Sequence, residues 1–250
     1  MQTKIEKPYY RIIRIDKNNS PCDYVLDDRY ALDRQILIRS YHTLEKDMIR
    51  LFEYIEPTEE NFKAYSVRTY EILLRAATEF ETNAKAILTA NGYQSEFWTI
   101  QDYYKINIAT RLSDYKIKIA SWTPWPKVFQ PLQDWSTGFL LFWYQDYNNV
   151  KHDRAIKFPL ATFRNAVNAV AAVFCILFAQ FGIQVFNAHN EQFDVDESDG
   201  DGFLFLHDSL FSIKPYDGWK DNELYDLKNI LLDEWRKKQE PFQKFTFDNA

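Results

Sequence analysis

The stretch FPLATFRNAVNAVAAVFCILFAQFG, residues Phe158 to Gly182, decides how this sequence folds. Its bulky residues recur at helical spacing as Leu160, Phe163, Val167, Val170, Phe174, Leu177 and Phe181. A second stripe is small, with Ala161, Asn165, Ala172 and Ala179, and Asn168 among them. A helix that is apolar on several sides lies inside a helical assembly, and a stripe of small residues lets a neighbour approach closely. Pro159 suits a first helical turn and Gly182 a stop. Arg164, Asn165 and Asn168 interrupt the run, and its uncharged part is shorter than the ~20 residues a bilayer span needs. The reading is therefore a buried core helix.

Working outward, the preceding segment from Leu132 to about Asp153 places Trp135, Phe139, Phe142, Trp143 and Val150 on a wide apolar face and predicts a third helix. The second helix has the clearest period, with Tyr70, Leu74, Ala77, Ala84 and Leu88 flanked by Leu73, Phe80 and Ile87. Glu71 with Arg75 and Glu81 with Lys85 have the favourable i, i+4 order, Thr58 begins it and Asn91-Gly92 ends it. A first helix runs from Asp28 to about Glu56, where Pro57 stops it. Residues 93 to 131 are less regular, with a short helix near Ile100–Leu112, a strand-like KIKIAS (Lys116–Ser121), and three prolines around Trp122 and Trp125.

Both ends have a different character. YYRIIRI (Tyr9–Ile15) predicts a short strand, FLFLHDSLFSIK (Phe203–Lys214) a β-hairpin turning near Asp208-Ser209, and Glu223 to Lys238 a helix. The expected organisation is mainly α, a four-helix bundle core over residues 28–185. An N-terminal arm over 1–27 and a small α+β appendage over 186–250 pack on that core as a single domain.

Composition agrees with a globular chain of 250 residues, 46% hydrophobic and 26% charged. Aromatic residues make up 17%, so large rings build the core. Six glycines argue against a many-turned all-β fold and against a phosphate-cradling loop. Two cysteines, Cys22 and Cys175, are too few for a disulfide framework or a zinc site, and Cys175 reads as a core residue. The first residues lack an apolar leader, so a cytoplasmic location is the expectation. The formal charge is −6, yet Glu191, Asp194, Asp196, Glu197, Asp199 and Asp201 alone contribute six negative charges, leaving the remainder neutral. Nucleic-acid binding therefore needs a local basic patch.

Such a patch lies at the end of the third helix, in QDYNNVKHDR (Gln145–Arg154). On a helix, Asn148, Asn149 and His152 project to one side. An imidazole exchanges protons near neutral pH, and Lys151 or Arg154 could stabilise negative charge on a phosphate. Between Lys151 and Arg164 four basic residues face one acidic residue, an excess of three positive charges. Glu81 interrupts the apolar seam of the second helix and needs a partner, with Lys151, His152 and Arg154 as candidates.

A helical pair followed by Tyr147-Asn148-Asn149-Val150-Lys151-His152-Asp153-Arg154 and an Ala-rich apolar helix resembles the HEPN superfamily over about residues 28 to 183. The resemblance implies a four-helix bundle, a homodimer, and metal-independent RNA cleavage or RNA binding in bacterial defence or stress systems. His152 matches the family's histidine, which would act as general acid and base. The family's preceding arginine is absent, since the nearest upstream arginine is Arg111. The competing expectation is a non-catalytic protein-interaction module. Nothing in the sequence calls for a cofactor, metal or membrane. The acidic run from Asp194 fails the EF-hand pattern, having Asp199 and Phe205 where glycine and glutamate belong. His42, His189 and His207 lack ligand spacing.

Overall fold

The computed structural model of the chain describes residues 4–15, 23–183, 186, 198–205, 209–226 and 232–247. Within them the protein is mainly α, with one small sheet. Helix α1 spans Arg34–Phe52, α2 Val67–Ala90, α3 Ile100–Tyr104, α4 Ile106–Thr110, α5 Phe142–His152, α6 Arg154–Lys157, α7 Phe163–Phe181 and α8 Leu232–Arg236. The strands are β1 (Lys116–Ile119), β2 (Lys127–Phe129), β3 (Leu204–Phe205) and β4 (Phe211–Lys214).

Helix α7 is the axis of the structure. Every residue in it except Arg164 is buried, and it packs against α1, α2 and α5. It is long and apolar enough to cross a membrane, but the protein itself encloses it. Helix α2 also touches α1 and α5, and its buried residues Ile72, Leu73, Ala76, Ala77, Phe80, Ala84, Ile87 and Leu88 follow the helical period. Phe80 meets Trp135 and Trp143 edge-on or tilted, with ring centres 5.8 and 5.5 Å away. Phe174 stacks on Tyr41 and Phe211, which joins α1, α7 and the sheet.

The sheet order is β2-β1-β4-β3, all neighbours antiparallel. Ile117 lies opposite Phe129 on one side and Ile213 on the other. Alternation places Ile117, Ile119, Phe211 and Ile213 on the buried face. β1 comes from the helical half and β4 from beyond residue 186, so the sheet crosses the boundary expected between core and appendage. Glu45, buried on α1, fastens this half by accepting hydrogen bonds from Ser209 Oγ (2.7 Å), the Leu210 amide (3.0 Å) and Tyr41 Oη (3.0 Å).

Several expected boundaries move. Tyr9–Ile15 forms no strand. Isolated parallel bridges instead tie Ile5 to Tyr225 and Tyr9 to Gln243, because the segment runs beside loops and has no strand to pair with. The third helix starts at Phe142, ten residues later than expected, after a 3-10 turn at Gln133–Thr137. Gly138 breaks the pair by adopting a positive φ of 77°. The helix expected from Phe158 starts at Phe163; of the one expected over Glu223–Lys238, α8 is described, and residues 227–231 lie outside the described residues. The hairpin forms as β3 and β4, with its expected turn at Asp208 outside the described residues.

The core also holds a polar network. Gln180, fully buried, accepts from Arg11 Nη1 at 3.1 Å and donates to Asn83 Oδ1 at 2.7 Å. Arg11 continues to Asp33, and Tyr30 Oη donates to the Gln180 carbonyl at 2.6 Å. This network connects the N-terminal segment, α2 and α7 through groups that must satisfy one another away from water.

Candidate functional site

Helix α5 buries Trp143, Tyr144, Tyr147 and Val150, so the residues between them face outward. It ends at His152. Asp153 turns the chain with φ −140° and caps α6 by accepting from the Ile156 amide at 3.4 Å. His152 is exposed and makes no hydrogen bond, ion pair or ring contact among the described residues. Asn149 is exposed and Asn148 half-buried, and neither side chain is hydrogen-bonded there.

The cations are engaged by aromatic residues. Lys151 Nζ donates to Tyr147 Oη at 3.0 Å, and that bond holds its ammonium above the usual lysine range. Arg154 lays its guanidinium 4.4 Å above the Tyr70 ring on α2, with Phe158 5.6 Å away. Glu81 has a tyrosine partner in place of a cation. Tyr144 Oη donates to Glu81 Oε1 at 2.8 Å, and burial followed by that carboxylate pushes the phenol well up. Glu81 reaches Lys151 only through space. The sequence-predicted residues thus share one end of α5 without converging on a single point.

A second guanidinium completes the corner. Arg164, the one exposed residue of α7, sits 4.5 Å over Phe142 and 5.7 Å over Phe62. Asn165 beside it is buried and donates to Asp146 Oδ2 and the Leu160 carbonyl, both at 2.8 Å, fixing α7 against α5. The Phe163 amide donates to the Ala64 carbonyl at 2.7 Å within the Tyr65–Thr162 bridge, so α2 and α7 begin side by side. Ser66 and Thr162 cap them by accepting from Thr69 N and Asn165 N. Two long helices therefore direct their positive ends to one place. Arg154, Lys157 and Arg164 have no carboxylate within ion-pair distance among the described residues. Half-exposed Tyr65 and strongly exposed Ile156 complete the surface.

The sequence counted Arg164 as charge without a role, and it missed the Tyr70, Phe158 and Phe142 faces. The available signal was Tyr70, an aromatic ring at the start of the seam whose other apolar members are Leu and Ala. Among the described residues no group of three or more His, Cys, Asp or Glu is placed to hold a metal ion. Asp199, from the acidic run, is engaged by Lys118, while Asp194 and Asp196 lie outside the described residues, as does His189. Cys175 is buried, which pushes its thiol up, and Cys22 is not among the described residues. Compared with models of known protein families, with curated proteins and with solved structures, the chain matches none.

Proposed function

We propose that the corner where α2 and α7 begin binds single-stranded RNA. One observation carries the reading: two guanidinium groups, Arg154 and Arg164, lie over aromatic faces and lack carboxylate partners among the described residues. A stacked guanidinium keeps its N–H edge free for phosphate oxygens, and neighbouring rings offer faces to unpaired bases. Lys157 and the paired helix starts add positive potential locally, against an overall charge of −6. The packing of α1, α2, α5 and α7 supports reading them as a HEPN-like bundle.

Binding is favoured over cleavage. An acid–base histidine needs a partner that fixes its tautomer and a cation beside the developing charge. His152 has no such partner among the described residues, and Lys151 and Arg154 are turned to Tyr147 and Tyr70.

The test is fluorescence anisotropy with a labelled unstructured RNA across a salt series, in EDTA, with gel analysis of the RNA afterwards. Arg154→Gln and Arg164→Gln should each weaken binding several-fold and lower the salt slope by roughly 0.7, the loss of one phosphate contact. RNA should stay intact with both the wild type and His152→Ala. Absence of binding at low salt, or variants that bind as the wild type does, would refute the proposal. Cleavage abolished by His152→Ala would replace it with the nuclease reading.

A further inference from the structure

At the same first turn of α2, but against α1, one buried carboxylate is surrounded by more positive charge than it needs. Asp47 on α1 is 8% exposed. Arg75 Nη1 lies 2.5 Å from it, Arg68 Nη2 3.3 Å and Arg50 Nη1 3.9 Å. A single well-placed arginine satisfies a buried aspartate, and each guanidinium carries five N–H donors. Arg75 uses one donor on Asp47. Arg68 uses one there and one on Glu71 at 2.8 Å. At 3.9 Å, Arg50 is too far for a hydrogen bond. Among the described residues most donors of Arg50 and Arg68 therefore remain open, on side chains 69% and 51% exposed.

The two arginines line a hollow of about 340 Å³ together with Leu51, Glu53 and Tyr54. Tyr54 follows the end of α1, its amide held by the Leu51 carbonyl at 3.1 Å. Its ring is 84% exposed and makes no ring or cation contact among the described residues. The hollow thus combines two guanidinium groups, an unused aromatic face and an exposed carboxylate. Guanidinium pairs match phosphate oxygens, and an open phenol ring stacks on a planar base. Glu53 repels a bare anion but accepts hydrogen bonds from ribose hydroxyls, as acidic residues do in dinucleotide sites.

We propose that this hollow binds a nucleoside 5′-monophosphate. The phosphate sits on Arg50 and Arg68, the base on Tyr54, and the ribose hydroxyls donate to Glu53. Asp47 is a positioning residue that sets the guanidinium planes before the ligand arrives. The site shares the first turn of α2 with the RNA surface but uses different cations, Arg50 and Arg68 in place of Arg154 and Arg164.

The experiment is isothermal titration of the full chain with adenosine 5′-monophosphate, with adenosine and inorganic phosphate as separate titrants. The nucleotide should bind at least about tenfold more tightly than either part alone. Arg68→Gln and Tyr54→Ala should each weaken it ~10-fold, and both side chains are exposed enough to leave folding intact. Glu53→Gln should weaken the nucleotide yet tighten inorganic phosphate, a pair of opposite changes that general damage cannot produce. Arg154→Gln should leave nucleotide binding unchanged, so failure of the RNA reading and failure of this one are separable. No heat with the nucleotide up to about 10 mM, equal affinity for adenosine, or an unaltered Arg68→Gln variant would overturn the assignment.

Discussion

Replacing Gln180 by methionine tests whether the polar network inside the core is a structural necessity. The new side chain is similar in length and fully apolar, so packing is nearly conserved. Its partners lose their bonds. Arg11 Nη1 forfeits a charge-assisted hydrogen bond worth about 1.5–3 kcal/mol, and Asn83 Oδ1 is left buried and unpaired at about 1–3 kcal/mol. Asn83 is fully buried. The sum is roughly 3–5 kcal/mol. For a chain of this size each kcal/mol lowers Tm by about 2–4 °C, so thermal unfolding followed by circular dichroism should shift down by roughly 10–15 °C. A second variant, Asn83→Ala, and the double variant close a cycle whose coupling should be about 1–2 kcal/mol. A shift below about 3 °C, or strict additivity, would mean that the three groups do not depend on one another.

Three further outcomes follow from the same structure. Ser66→Ala removes the cap of α2 and should lower stability by about 1 kcal/mol in denaturant titrations, while Thr58→Ala, expected from sequence to cap that helix, should have little effect. Phe174→Ala opens a void between α1, α7 and the sheet and should destabilise by about 3–5 kcal/mol, read by the same titration. Glu45 sets a pH dependence. Burial pushes its carboxyl up, but hydrogen bonds from His42, Ser209, the Leu210 amide and Tyr41 outweigh this and hold it below the ordinary value. Its contribution is therefore complete above the unfolded-state pKa and disappears as pH falls through the lower folded-state pKa. Glu45→Gln should flatten that acid limb, and an unchanged limb would disprove the link.

The legible part of the fold was the part with a local period. Helix α2 repeats its apolar residues over 24 positions, and the run ending at Gly182 does so with bulky and small stripes. KIKIAS showed its alternation and became β1. β2 was invisible because a strand of three residues between Pro126 and Pro131 carries no period. Arg11, Asn83 and Gln180 gave no warning either, since they are 97 and 169 positions apart along the chain and meet only after folding. At the candidate site the sequence located the right stretch of chain. It could not show where Arg154 turns, because the Tyr70 face it covers is on α2, some 80 residues earlier, whereas Lys151 folds back on Tyr147 of its own helix.

The middle position of β1 has a consequence for synthesis. Its Ile117 and Ile119 receive one partner from the nearby β2 and the other only from β4, about 90 residues later. Until β4 has left the ribosome, one side of β1 presents unpaired backbone groups next to apolar side chains, the kind of edge that recruits stray strands. A stalled or clipped product lacking β4 should therefore aggregate although its long helices are all present.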